Sequence, residues 1–299
     1  MDKNPKTKSM TSGEAVVDGL IRNEIDTLFC LPGVQNDLFF DALHARTDEL
    51  RPIHTRHEQA SAYMALGASL ATGKPSAFCV VPGPGFLNAS AALATAYSTN
   101  SKVLALLGQI NLASIDRGYG LLHEVRDQIG ILRTMTKWAE RIESPSDAAR
   151  LTQEAFRQLG AGRPRPVGLE CPIDVWGRRA PVVIPNHPAD IQTPPVDIDK
   201  VEDAAKLLGA AKNPMIIVGG GAQDASAEVQ HVAEMLEAPV CAYFMGRGVL
   251  DSRHHLSITM PTGEDLWKNA DVVLGVGTRM QPHQQRWGVD KELKIIRID

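Results

Sequence analysis

Pro52-Ile53-His54-Thr55-Arg56-His57-Glu58-Gln59-Ala60-Ser61-Ala62-Tyr63-Met64-Ala65-Leu66 carries the chain from one kind of structure into another. Pro-Ile-His-Thr reads as a short strand, and the small and apolar residues from Gln59 to Ala71 read as a tightly packed helix. Glu58 stands at the junction. An acid in a first helical turn complements the helix dipole, whereas a carboxylate at such a junction is also placed to act as a functional acid. Position alone favours the first reading.

Working outward, the same alternation recurs. Ser12 to Ile21 predicts a helix capped by Ser12, and Thr27–Leu31 a strand ending at Pro32-Gly33. A helix over 36–45 leads to the strand before Glu58. Ser76–Val81 is apolar after its first residue, as in a parallel sheet buried on both faces. Pro82-Gly83-Pro84-Gly85-Phe86-Leu87-Asn88 then forms a glycine turn before an alanine-rich helix, where backbone can approach a ligand. A dinucleotide-binding turn is the rival, but Asn88 replaces the third glycine and no acid follows about 20 residues on.

Val103–Leu107 is another buried strand ending at Gly108-Gln109, and residues 111–122 are polar and glycine-dotted, which suits a loop over a site. His123-Glu124 is expected to open the next helix; Trp138–Ile142, a helix from Asp147 and Val167–Glu170 complete the unit.

The predicted fold is therefore α/β, with two doubly wound open parallel-sheet domains. The first spans 1–180, a stiff proline-rich linker 181–199, and a second domain 200–299 that is incomplete at its C-terminal end. Its last strand, Lys294–Ile298, has nothing after it to cover it, so the chain is expected to stop inside a larger protein.

Composition narrows the function classes. Lys plus Arg number 31 against 35 Asp plus Glu, a net charge of −4, which gives no positive field for nucleic acid. No run approaches the roughly 20 apolar residues of a membrane span, and the polar start has no apolar signal core. A cytoplasmic protein without a membrane or nucleic-acid partner is expected. The four cysteines are dispersed in apolar runs with no CxxC pair, so they read as reduced core residues and no metal site is assigned. A zinc-protease reading of His57-Glu58 fails because position 61 is Ser61.

An ordered set of short motifs resembles the thiamine-diphosphate-dependent decarboxylase and carboligase family, which includes acetolactate synthase and benzaldehyde lyase. The set runs Leu31-Pro32-Gly33, Arg56-His57-Glu58-Gln59-Ala60, Ala71-Thr72-Gly73-Lys74-Pro75, Gly83-Pro84-Gly85 with Asn88, Gly108-Gln109, Thr136-Lys137-Trp138, Gly162-Arg163-Pro164 and Pro172-Ile173-Asp174-Val175. The resemblance implies a pyrimidine-binding domain followed by a central domain. It makes Glu58 the acid that hydrogen-bonds a pyrimidine nitrogen, favouring the tautomer that removes the thiazolium proton. Pro32, Gly33, Val34, Gly83 and Pro84 would flank the pyrimidine, with Asn88 nearby; Val34 departs from the glycine usual in acetolactate synthases.

His123 falls where many relatives carry glutamine, and is read either as a proton shuttle or as a helix cap; Phe86, larger than its usual counterpart, is read as narrowing the pocket.

The glycine turns at 219–221 and 275–279 resemble those that hold FAD or ADP in relatives, but the acidic pair of FAD-binding members is replaced by Met280-Gln281-Pro282-His283, leaving FAD, ADP or no nucleotide open. The family's diphosphate and Mg²⁺ site needs a third domain carrying Gly-Asp-Gly, a sequence absent from these 299 residues. The implied function is the N-terminal part of a 2-oxo acid decarboxylase or carboligase, homodimeric or homotetrameric, with this chain inactive alone. The alternative is a non-catalytic fragment that serves as an oligomerising or regulatory module.

Overall fold

The computed structural model describes residues 6–185, 188–191, 193–289 and 292–299. The chain divides into two compact units, 1–193 and 194–299. In unit 1 the elements run β1 (Lys6–Thr11), α1 (Ser12–Arg22), β2 (Thr27–Cys30), α2 (Asp37–His44), β3 (Arg51–His54), α3 (Glu58–Thr72), β4 (Ser76–Val80) and α4 (Pro84–Thr99). They continue with β5 (Val103–Gln109), α5 (Gln128–Met135), β6 (Trp138–Arg141), α6 (Pro145–Gly160), β7 (Val167–Pro172), α7 (Ile173–Trp176) and β8 (Arg179–Ile184).

Six strands form one parallel sheet in the order β3-β2-β4-β5-β7-β6. β4, β5 and β7 are buried along their whole length, as expected of strands covered on both faces. After β2 the chain moves outward to β3, then returns to the other side of β2 as β4. The loops after β2 and β4 therefore bound the crevice at a topological switch point, the usual ligand position of an open parallel sheet. Cys30 and Cys79 pair in register across β2 and β4, and burial pushes the Cys30 thiol up to about 11.

Unit 2 holds α8 (Ile198–Gly209), β9 (Pro214–Val218), α9 (Ser226–Leu236), β10 (Val240–Ala242), β11 (Ser257–Ile258), α10 (Met260–Trp267), β12 (Val272–Val276), α11 (Gln281–Trp287) and β13 (Lys294–Ile298). Its five strands are parallel in the order β11-β10-β9-β12-β13. Two parallel-sheet α/β units are thus present, as the sequence predicts.

Several local expectations change. Thr11, not Ser12, caps α1: its hydroxyl accepts from Glu14 N–H at 3.1 Å while the Glu14 carboxylate accepts from Thr11 N–H at 2.8 Å. Residues 179–184, read as the end of the first domain and the opening of a linker, form β8, antiparallel to β1 from Thr11↔Arg179 to Lys6↔Ile184. Pro181 is tolerated because a two-stranded ribbon leaves outward-facing backbone positions that need no ladder partner. The expected linker at 186–187 and 192, like the first five residues, lies outside the described residues. No helix among the described residues is long and apolar enough to cross a membrane.

Candidate functional site

The loops after β2 and β4 close on one side chain, Val81. Gly33 is extended, so its backbone does not demand glycine, but a Cβ there would come within 2.6 Å of Val81 Cγ1. A Cβ on Gly85 would come within 2.6 Å of Val81 Cγ2. The missing side chains let the Pro32–Val34 and Pro82–Gly85 segments pack against the two methyls of one valine. Val34 itself is 67% exposed.

Glu58 is the first residue of α3, and His57 caps the helix, its Nδ1 accepting from Gln59 N–H at 3.2 Å. The junction is stiffened by buried Thr55, whose hydroxyl donates to His57 O at 2.9 Å and meets Ser61 Oγ at 2.7 Å. The half-buried Glu58 carboxylate takes Asn88 Nδ2 on Oε2 at 3.0 Å. Its Oε1 accepts no hydrogen bond among the described residues and lies 3.6 Å from where a Gly85 Cβ would sit. Here the structure brings Glu58, Asn88 and the glycine turn together, leaving one carboxylate oxygen for a ligand beside a glycine that carries no side chain.

Gly83 joins this group to His123. Its φ is +59°, in the region that favours glycine, and a Cβ there would stand 2.5 Å from His123 O. His123 does not open a helix: α5 begins at Gln128, capped by Asp127, and His123 lies in the preceding loop at φ +71°. A left-handed histidine is uncommon, and the packing of its carbonyl on Gly83 accounts for the conformation. Its Nδ1 is buried and has no hydrogen-bond partner among the described residues. Phe86 is fully buried in the cluster with Phe78, Leu66 and Leu93, so it fills the core instead of narrowing a pocket.

Four residues at the site were not singled out from sequence. Asn36 donates Nδ2 to Val80 O at 2.9 Å and leaves its buried Oδ1, beside Gly108, without a partner among the described residues. Gln128, Glu170 and Val81 support the glycine turn. Glu170 carries the clearest signal, a carboxylate inside an otherwise apolar strand.

The glycines of unit 2 have another explanation. Gly219 N–H donates to Val276 O, Gly221 N–H to Gly277 O and Ala222 N–H to Gly219 O, at 3.0–3.1 Å. Side chains on Gly219 or Gly277 would collide with the opposing backbone. The turns after β9 and β12 thus pack against each other, with these amides committed internally. Among the described residues no cluster of three metal-ligating side chains occurs.

Fold and site define a parallel-sheet domain that presents a carboxylate at its switch point. Residues 10–131 match the family described as "Thiamine pyrophosphate enzyme, N-terminal TPP binding domain", and 201–299 match "Thiamine pyrophosphate enzyme, central domain". The chain belongs to the thiamine pyrophosphate enzyme family, whose N-terminal and central domains these matches represent.

Similar proteins include the probable 2-ketoarginine decarboxylase AruI of Pseudomonas aeruginosa, 33% identical over 91% of this chain and 49% of that protein. A probable acetolactate synthase large subunit of Methanocaldococcus jannaschii is 33% identical over 97% and 51%. Oxalyl-CoA decarboxylase of Escherichia coli K12 is 31% identical over 97% and 52%. The chain spans about half the length of these relatives.

Proposed function

We propose that this chain is the cofactor-activating part of a thiamine-diphosphate-dependent enzyme that decarboxylates a 2-oxo acid and protonates the product or joins it to a second carbonyl. The observation that carries this reading is the Glu58 carboxylate, fixed through Oε2 by Asn88 and open at Oε1 beside Gly85. Thiamine diphosphate, when bound, supplies the carbon nucleophile and holds the electrons that carbon dioxide leaves behind. Glu58 Oε1 would hold a proton against a pyrimidine nitrogen, and Asn88 orients that carboxyl group. Backbone of Pro32, Gly33, Val34, Gly83 and Pro84 would flank the ring, with Asn36 Oδ1 and His123 Nδ1 as further polar atoms nearby that have no partner among the described residues. His123 would carry protons to or from the substrate oxygen. Support for a 2-oxo acid substrate comes from the names of the similar proteins.

The diphosphate and Mg²⁺ would be held by a domain outside these residues, so this chain alone should be inactive. A homodimer or homotetramer is supported by α3 and α4. Between Glu58 and Lys102 the only charged side chain is Lys74, and Tyr63, Met64, Leu70 and Leu87 are solvent-exposed on those helices. A cytoplasmic location is proposed with it. FAD forms no part of the proposal, because the unit 2 glycine turns pack on each other. No observation favours the non-catalytic module.

Calorimetric titration of the 299-residue chain with thiamine diphosphate and Mg²⁺ tests the division of labour. No binding at micromolar cofactor is expected, and micromolar binding would overturn it. A product screen of the full-length polypeptide with pyruvate, benzoylformate and oxalyl-CoA then identifies the substrate.

A further inference from the structure

The Pro82–Gly85 turn is held by a buried polar network whose donors and acceptors fit together in one way. The Gln128 side chain is 1% exposed. Its Oε1 accepts from Gly83 N–H at 2.8 Å, and its Nε2 donates to Gly108 O at 2.9 Å and Glu170 Oε2 at 2.9 Å. A carbonyl and a carboxylate only accept, so the amide nitrogen must face them and the amide oxygen is driven toward Gly83. Turning the amide over would set two acceptors against its oxygen and two donors against each other at Gly83.

Glu170 anchors this arrangement. It is 0% exposed, and its Oε2 also takes Gln109 Nε2 at 3.3 Å while Oε1 takes Arg141 Nε at 2.6 Å. A carboxylate buried so completely is tolerated because it is paired and hydrogen-bonded on both oxygens.

Two contacts connect the network to the candidate site. Gly83 opens the turn that places Gly85 beside Glu58 and starts the helix that carries Asn88. Gln128 also ends the loop that holds His123, whose carbonyl packs on Gly83. Gly83 is therefore clasped from two sides by one short stretch of chain, through a side-chain oxygen at 128 and a backbone carbonyl at 123.

We propose that Gln128, oriented by the buried Glu170 carboxylate, is a positioning residue that fixes the Pro82–Gly85 turn so that Glu58 and His123 are presented in one geometry. The proposal rests on the reading of Glu58 as the group that activates thiamine diphosphate. Gln128 and Glu170 act through Gly83 and touch neither cofactor nor substrate.

The experiment has two parts. Amide hydrogen exchange at Gly83, followed by NMR in the 299-residue chain without cofactor, reads the hydrogen bond itself. Strong protection is expected in the unaltered chain, and Gln128→Met should speed exchange roughly tenfold or more. Exchange at the free-peptide rate in the unaltered chain would overturn the proposal without any variant.

In the full-length polypeptide loaded with thiamine diphosphate and Mg²⁺, deuterium exchange at the cofactor's C2 position is then measured for Gln128→Met, Glu170→Gln and Glu58→Gln. Gln128→Met should slow C2 exchange about tenfold while the cofactor Kd changes less than about threefold, a split that general loosening of the fold would not give. Glu170→Gln should act in the same direction, because its new amide meets either Arg141 or Gln128 donor to donor; it serves as the test if Gln128→Met does not fold. Slowing by Glu58→Gln with no effect of the other two would overturn the positioning role and leave Glu58 in place. No slowing by any of the three would overturn the role of Glu58 and the proposal with it.

Discussion

Lys137 should hold unit 1 together at the end of α6, and its loss should be measurable. The ammonium group donates to Gln158 O at 2.6 Å, to Ala161 O, and to Arg163 O at 3.0 Å. These are carbonyls at and just past the C-terminus of α6, which the helix cannot satisfy internally. Each charge-assisted bond contributes about 1.5–3 kcal/mol before desolvation is counted. That cost is real here, since burial, with the charges of Arg165 and Arg157, lowers the Lys137 pKa. The site is only partly buried, so freed carbonyls would regain water. A net loss of about 2–3 kcal/mol is expected for Lys137→Met. Lys137→Arg should cost about half as much, because a planar guanidinium cannot direct three bonds at converging carbonyls. Native-state hydrogen exchange of α6 amides, together with urea denaturation, measures both. A loss below about 0.5 kcal/mol for Lys137→Met, the range of an exposed charge pair, would refute the reasoning.

Two other perturbations have definite directions. His283 is fully buried against the rings of Tyr243, Trp267 and Trp287, and its pKa is lowered chiefly by burial, with a backbone contact to Met280 opposing. Because the folded value lies below the ordinary 6.5, unit 2 should keep full stability above that pH. It should lose stability as pH falls from there through the folded value, since the unfolded chain then binds the extra proton. His283→Phe should flatten this acid limb in urea titrations at pH 7 and 5, and an unchanged limb would count against it. If the full-length protein assembles through the α3–α4 face as proposed, Met64→Lys should shift it to smaller species in sedimentation velocity; an unchanged sedimentation coefficient would count against that interface.

The parallel cores were legible because their strands are short apolar runs closed by glycine and proline. Such runs specify a strand buried on both faces without reference to distant residues. The β1–β8 ribbon was not, since its pairing joins residues some 170 positions apart. β1, Lys-Thr-Lys-Ser-Met-Thr, is mostly polar, and in β8 Pro181 interrupts the run before Val182-Val183-Ile184, so it reads as linker. α10 and α11 were also missed, although Pro261 and Pro282 stand in their first turns, a start signal that the sequence does offer.

Glu58, Gly83 and Asn88, which the structure brings together, were singled out through motif order. The network behind them was not, because the value of Gln128 depends on acceptors at positions 108 and 170 that only the fold brings together. Position 123 shows the opposite case. A helix start was read from His-Glu, but Asp127 caps the helix instead, and contact with Gly83 holds His123 in a left-handed turn.

The claim on which everything else depends is that Glu58 Oε1 carries the proton that activates the cofactor. Deuterium exchange at C2 of thiamine diphosphate, bound to the full-length polypeptide with Mg²⁺, tests it before any substrate is added. Glu58→Gln should slow that exchange by at least about 100-fold, the scale of a lost general acid. Exchange within about threefold of the unaltered protein would show that the carboxylate is no more than a helix-end charge.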